Sequence, residues 1–421
     1  METKIRFVMV EPNGSGGLIH YAYQLCTALA NEGMDVTLIT GRNYELTDFP
    51  HNFKVDNMLD LWTLFESSSA HSVRENIFQR GWRQLRWATR RGLRAFRLVR
   101  AWLRLTSHLS ALKPDIIQFS KINFPFESFF LARLHKRGLV LTQLCHEFEL
   151  RENSGPFSAL ILKTYSDVYT HFSAMFFHAR ENRDRFLELF PFVPADSTHV
   201  IAHGNSDWLL NLKSDSAETL RARYGFRGDE RVVLFFGLLA PSKGLDDLID
   251  AFAIARQSCA AKLVIAGYPT RHIDMPELQA RIERLNIQND VVLDTRYIPL
   301  EQIKPLIELA SVMVYPYLSS TQSGALQVAY TFGKPVIATR VGGLPEAVDD
   351  SQSGFLVPAH APREMAEKII ALINDPQRAA EMGKYARHLS ETRFNWQTIA
   401  KEMRPVYEKL VLAKPGSDSL L

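Results

Sequence analysis

The pattern of apolar positions divides the chain into two strand–helix series. Ile5–Val10 is a compact apolar run, Pro12–Gly17 is rich in turn formers, and Leu18–Asn31 repeats its apolar residues at helical spacing. Asp35–Thr40 then reads as a strand that barely alternates, as expected of one covered on both faces. Asp115–Phe119 and Leu139–Leu144 are further short apolar runs with polar punctuation. A second series starts at Arg231–Phe236, passes the loop Gly237–Lys243 and enters a helix over Gly244–Arg256, where Leu245, Leu248, Ile249 and Phe252 share a face. Lys262–Ala266, Val291–Leu293, Val312–Tyr315 and Pro335–Thr339 continue it as buried strands. Such alternation predicts an α/β chain of two doubly wound parallel sheets. The polar stretch Ser206–Glu230 contains no strand pattern and reads as a linker. The expected divisions are 1–205, a linker 206–229, a second domain 230–390, and a last segment 391–412 whose helix spans Trp396–Leu412.

Composition narrows the class. The 421 residues are 46% hydrophobic and 23% charged, which supplies two large cores and excludes a disordered or collagen-like chain. Lys and Arg number 49 against 46 Asp and Glu, a net +3 that predicts no nucleic-acid partner. The balance hides a patch. Between Asn76 and Pro114 there are nine Arg, one Lys and no acid, so this stretch carries +10 and leaves −7 for the rest. Arg83, Arg86, Arg90, Arg94, Arg97, Arg100 and Arg104 recur every three or four residues, and Trp82, Leu85, Phe96, Val99 and Leu103 form another face. The helix over 80–104 has two readings: one that lies on an anionic membrane surface, and one whose apolar face packs on the first domain. Cys26, Cys145 and Cys259 lie far apart and outside any metal or CxxC spacing, so they read as buried hydrophobes in a reducing compartment. Apolar runs are strand-sized, such as Val232–Phe236, and the N-terminal run is too short for a signal peptide. The expectation is a cytoplasmic protein, peripheral at most on the inner face of a membrane.

The loops after the strands carry the candidate chemistry. Gly14-Ser15-Gly16-Gly17 follows one strand and opens a helix, where backbone N–H groups can cradle a diphosphate. Ile19 stands where a dinucleotide fingerprint needs glycine, and Arg42 where it needs an acid, which disfavours NAD. Gly237 to Gly244 is the matching loop of the second series, with Lys243 placed to add a point charge at a helix start. The richest segment is Tyr315–Leu326, which contains Thr321-Gln322-Ser323-Gly324 and is followed by Gly333-Lys334-Pro335-Val336 and Gly342-Gly343-Leu344-Pro345-Glu346. No Asp-x-Asp, His-Glu-x-x-His or Gly-x-Ser-x-Gly occurs, and no catalytic metal is expected.

In their order and spacing these motifs, with Gly16-Gly17-x-x-His20, His146-Glu147, His203-Gly204-Asn205 and Phe394-Asn395-Trp396, resemble the retaining glycosyltransferases of family four. That resemblance implies a GT-B fold of two facing Rossmann-like domains, with a final helix crossing back to the first. It implies a nucleotide-diphosphate-sugar donor bound mostly by the second domain, a glycan or lipid-linked acceptor on the first, no cofactor, and work in cell-surface polysaccharide or lipopolysaccharide synthesis. Carried onto this sequence, it implies that Lys243 meets the donor diphosphate and that His146 stands near the reacting sugar. Thr321, Gln322, Ser323 and Gly324, with Gly237, hold phosphates and sugar; Arg296, Tyr297 and Ile298 line the base; Gly16 and Gly17 close from the other wall. His20 and His203 read as structural. The sequence departs from the family in its acids: the usual glutamate pair falls on Ser320 and Val328, or on Thr321 and Ala329 with the gap shifted by one. No Arg accompanies Lys243 between Gly237 and Ser242. The Thr-Gln-Ser-Gly segment resembles a branch that lacks the pair. A non-catalytic scaffold and, further off, a nucleotide-sugar 2-epimerase are the alternatives.

Overall fold

The computed structural model describes residues 4–59, 77–122, 124–148, 165–228 and 230–414. Its first sheet has seven parallel strands: β1 (Arg6–Glu11), β2 (Asp35–Gly41), β3 (Lys54–Leu59), β4 (Ile116–Phe119), β5 (Val140–Leu144), β6 (Ala174–Phe177) and β7 (Thr198–Val200). The spatial order is β3-β2-β1-β4-β5-β6-β7. The second sheet has six: β8 (Arg231–Phe236), β9 (Ala261–Ala266), β10 (Val291–Asp294), β11 (Val312–Tyr315), β12 (Val336–Thr339) and β13 (Gly354–Val357), in the order β10-β9-β8-β11-β12-β13. Each order reverses once, between β1 and β4 and between β8 and β11. Ligand crevices open at the carboxyl ends of strands at such reversals.

The helices used below are α1 (Gly17–Asn31), α2 (Ile77–Leu112), α3 (Glu127–His135), α4 (Arg180–Leu189), α5 (Leu245–Ala255), α6 (Gly324–Thr331) and α7 (Trp396–Leu412). Central strands such as Ile116–Phe119 and Val312–Tyr315 are buried at every position, which explains their unbroken apolar runs. The expected linker is not featureless. Asp207–Asn211 forms a short 3-10 turn, and Ala217–Arg223 is a helix capped by Ser216, whose side chain accepts from the Thr219 amide.

The last helix returns to the first domain. Ile399, Ala400, Met403 and Tyr407 of α7 join the core cluster of Phe7, Ile19, Leu25 and Leu29. The Tyr407 hydroxyl donates to Gln118 Oε1 at 2.9 Å. Two chain segments cross side by side between the domains: the Asn205 amide donates to the Phe394 carbonyl at 2.8 Å, and Trp396 Nε1 donates to the Asn205 carbonyl at 2.9 Å. Gly204 lies flat against the Trp396 indole, where any Cβ would collide with the ring.

The basic helix corrects one expectation. On α2 the buried stripe is Leu98, Ala101, Trp102, Leu105 and Leu109. Phe96, Val99 and Leu103, grouped from the sequence as an apolar face, are instead exposed, Phe96 by 65% and Leu103 by 54%. Periodicity alone offers two apolar stripes on this helix, and the one containing Trp102 wins because Trp102 stacks on Phe119 and Phe130 and donates to Glu127 of α3. The side chains of Trp82, Leu85, Arg83, Arg86, Arg90 and Arg94 lie outside the described residues.

Candidate functional site

The loops at the carboxyl ends of the two sheets face each other across a cleft. On the first wall, Gly16 has φ 89°, a conformation open to glycine, and precedes the first turn of α1. Its amide donates to Glu45 Oε1 at 2.6 Å, and His20 Nε2 lies 2.6 Å from the same oxygen. The Tyr297 hydroxyl reaches across from the second domain and donates to Glu45 Oε2 at 2.8 Å. Burial raises the Glu45 carboxyl, but His20, the Gly16 amide and Tyr297 outweigh it and hold the group below its ordinary range.

On the second wall, the turn Pro241–Lys243 leads into α5 through Gly244. Gly244 has φ 64°, and a Cβ there would strike the Pro316 carbonyl, so glycine lets the lysine turn dock on the chain leaving β11. Lys243 Nζ sits 3.7 Å from the centre of the Tyr317 ring. Tyr317 and Ser323 share a hydrogen bond at 3.1 Å, and Ser323 Oγ accepts from the Leu326 amide, capping α6. These links place the lysine, the Thr321–Gly324 segment and a helix N-terminus on one surface. Thr321 Oγ1 donates to the His146 carbonyl and Asn182 Nδ2 of α4 donates to the Thr321 carbonyl, so this segment touches the first domain directly.

Three histidines and a tyrosine meet behind that contact. Ring centres lie 5.1 Å apart for His146 and His178, 5.0 Å for His178 and His203, and 6.5 Å for His146 and His203. Tyr21 of α1 lies against all three and against Trp396, at 4.8 to 5.3 Å. Burial first, then His203, pushes His146 down to about 3. Burial pushes His203 down to about 4, and His178 well below its ordinary value with His203 and His146 adding to the effect. All three rings are therefore neutral at neutral pH. Neither His146 nitrogen has a hydrogen-bond partner among the described residues. A cavity of roughly 200 Å³ adjoins the cluster between the domains, lined by His178, His203, Gln322, Ser323, Gln327 and Arg393 among others. Gln322 Oε1 and Gln327 Oε1 are buried there without partners among the described residues.

The residues singled out from the sequence fall in different places. Gly16, Gly17, His146, Lys243, Tyr297 and Thr321–Gly324 stand at the cleft. Gly237, φ 148°, is partly exposed beside Ala325 at the start of α6, and lies so close to Gly267 that a Cβ on Gly267 would strike the Gly237 carbonyl. Arg296 turns to Asp294, 2.8 Å from Nε to Oδ1, and to Gln302 at 2.6 Å. Ile298 is 5% exposed and belongs to the second core, so of this turn Tyr297 alone sends its side chain toward the first domain. His203, read as structural, is a member of the imidazole cluster. Glu45, His178 and Asn182 were not anticipated. Each sits in a stretch without a motif, and only the meeting of two distant segments reveals it. Among the described residues no group of three or more His, Cys, Asp or Glu is placed to hold a metal ion. Nor is any helix among them long and apolar enough to cross a membrane.

Two facing Rossmann-like domains, glycine loops on both walls and a returning helix define the GT-B architecture. Residues 216–389 match the family described as glycosyl transferases group 1, and residues 16–204 match the glycosyl transferase 4-like domain. Together the two matches span most of the chain, and each domain matches a glycosyl transferase family. It is 35% identical over 201 residues to D-inositol 3-phosphate glycosyltransferase of Streptomyces avermitilis, a match covering 46% of this chain and 43% of that protein. The chain spans about half the length of the curated relatives it matches. Among solved structures it is similar to sucrose-phosphate synthase from Thermosynechococcus elongatus, with TM-score 0.70 and 20% identity over 97% of this chain and 100% of that one. It is also similar to Anabaena HepE in complex with UDP and glucose, with TM-score 0.69 and 19% identity over 96% and 100%. These structural likenesses establish the fold.

Proposed function

We propose that this chain is a retaining, metal-independent glycosyltransferase that moves a sugar from a nucleotide-diphosphate donor to a glycan or lipid-linked acceptor in cell-surface polysaccharide synthesis. The observation that carries the reading is the shared surface of Lys243, Tyr317, Ser323 and the α6 N-terminus, set against the His146 wall. A lysine and a helix N-terminus together supply positive potential where a diphosphate leaves. In the proposed reaction, the donor's anomeric carbon–oxygen bond breaks and the acceptor hydroxyl attacks from the same face. The leaving diphosphate oxygen takes the acceptor's proton. Lys243 and the amides of Thr321–Gly324 stabilise the departing charge, while Gly16 and Gly17 close on it from the first wall. His146, neutral and enclosed, borders the reacting sugar and excludes water. Anabaena HepE, solved with UDP and glucose, makes UDP the first donor base to test.

The acceptor side of the proposal rests on α2. Phe96, Val99 and Leu103 are exposed beside Arg97, Arg100 and Arg104, the composition of a face that lies on an anionic membrane. The enzyme would then work from the cytoplasmic side on lipid-linked glycans. The non-catalytic alternative draws on the acids and arginine missing from the donor loops.

The test is a thermal-shift panel of UDP, GDP and their sugar conjugates, with and without EDTA. A ligand at about 100 times its Kd stabilises by about 2.7 kcal/mol. The expected result is a shift with one base, insensitive to EDTA and weakened about tenfold in affinity by Lys243→Ala. Binding without turnover of the sugar conjugate would favour the scaffold, and no shift with any nucleotide would overturn the reading.

A further inference from the structure

The cleft holds a carboxylate that the proposed reaction does not use. Glu45 lies in the loop after β2, and its carboxylate takes up donors from both walls, the Gly16 amide and the Tyr297 hydroxyl, with His20 Nε2 2.6 Å from the oxygen that Gly16 binds. The Gly16 amide and the Tyr297 hydroxyl can only present hydrogens to it, and they come from different domains. Together with His20 they form a receptor for an anion, and the chain fills it with its own.

We propose that Glu45 is an internal competitor for the donor's diphosphate, a carboxylate that holds the glycine loop, His20 and Tyr297 in place and yields them when the donor enters. The inference rests on the reading of this cleft as a nucleoside-diphosphate-sugar site. Two anions do not share the Gly16 amide, because a phosphoryl oxygen and the carboxylate would need the same hydrogen and would repel each other. The exchange requires only a side-chain rotation. The neighbours Tyr44 and Leu46 are buried in the first core, and the Glu45 amide donates to the Gly14 carbonyl at 2.9 Å, so the backbone stays while the side chain swings. In the free chain the same contact bridges the domains through Tyr297. Glu45 thereby lowers affinity for donor and released nucleotide alike, and keeps the walls arranged for the next donor.

The experiment is isothermal titration of the full chain, as wild type, Glu45→Gln and Glu45→Ala, with UDP, GDP, uridine and guanosine. Removing the carboxylate should tighten binding of the nucleoside diphosphate about tenfold, the factor set by one charge-assisted hydrogen bond, and leave the nucleoside unchanged. Diphosphate affinity that stays level or falls would overturn the proposal, as would a nucleoside affinity that rises by the same factor, which signals general loosening. Lys243→Ala separates the two readings. If it weakens diphosphate binding while the Glu45 variants change nothing, the cleft stands and the competitor falls. If no variant and no wild-type sample binds any nucleotide, the reading of the cleft fails first.

Discussion

Mild acid is expected to unfold this protein through its histidine cluster. His146 is buried and His178 and His203 are half-buried at the junction of the two domains, packed on one another and on Tyr21. In the unfolded chain each imidazole titrates near the ordinary value of 6.5; in the folded chain burial moves His146 to about 3 and His203 to about 4. Between those values the unfolded state binds more protons than the folded one, so stability falls as pH drops. At pH 5, about 1.5 units below the unfolded value, each such histidine costs about 2 kcal/mol. His146 and His203 together cost about 4 kcal/mol, and His178 shifts in the same direction.

That is a large share of the 5–15 kcal/mol that typically separates folded from unfolded domains. The assay is urea unfolding at about pH 7.5 and 5.0, followed by tryptophan fluorescence, since Trp396 touches the cluster through Tyr21. His203→Gln keeps a polar side chain of similar reach and removes one titrating group. The loss of stability between the two pH values should shrink by about 2 kcal/mol in this variant. An equal loss in wild type and variant would show that the cluster does not govern acid unfolding. A wild type indifferent to pH would refute the reasoning altogether.

The other expectations concern packing and surface. Gly204→Ala forces a Cβ into the Trp396 indole and should cost about 1–3 kcal/mol, read as a lower urea midpoint, because the crossing segments cannot separate without breaking the Trp396–Asn205 hydrogen bond. Changing Arg97, Arg100 and Arg104 together to Gln should weaken flotation with anionic vesicles by about 3 kcal/mol, at about 1 kcal/mol per charge, with neutral vesicles unaffected; unchanged flotation would return α2 to the reading of a solvated helix.

The sequence carries the sheets well where strands are central and the site poorly where segments meet. Arg231–Phe236 and Val312–Tyr315 were legible to the residue because a strand buried on both faces writes an uninterrupted apolar run. The edge strand Lys54–Leu59 escaped because it is half exposed and mixes Lys, Asp and Asn with Val and Leu. Thr198–Val200 escaped because it has only three residues, Thr and His among them, while Ala174–Phe177 and Gly354–Val357 escaped although they are as long as Val312–Tyr315. At the cleft, glycine loops and Lys243 announced themselves by residue type and position. Glu45 did not, since an acid in a polar loop looks solvated until Tyr297, 252 positions away, is brought to it. The same holds for His203, which reads as linker until β5 and β6 deliver His146 and His178 beside it.

The missing glutamates and the missing arginine bear on each other. Ser320 is 4% exposed with its hydroxyl donating to the Gln322 carbonyl at 2.8 Å, and Val328 is 8% exposed within the second core. An acid at Val328 would have to ionise among apolar side chains, which the surrounding packing does not offset. The shifted pair fares no better: Thr321 spends its proton on the His146 carbonyl, and Ala329 is fully buried. What the segment offers instead are two amide oxygens, on Gln322 and Gln327, buried at the cavity with no partner among the described residues. An amide oxygen accepts a sugar hydroxyl much as a carboxylate does, but brings no negative charge to the side of a diphosphate. On the family's usual plan, acids that hold hydroxyls raise the repulsion felt by the phosphates, and the extra arginine offsets it. A wall that accepts through amides needs less positive charge, and Lys243 with the α6 N-terminus then suffices. On the function proposed above, the two departures form one coupled change in how the donor's charge is balanced rather than two separate losses.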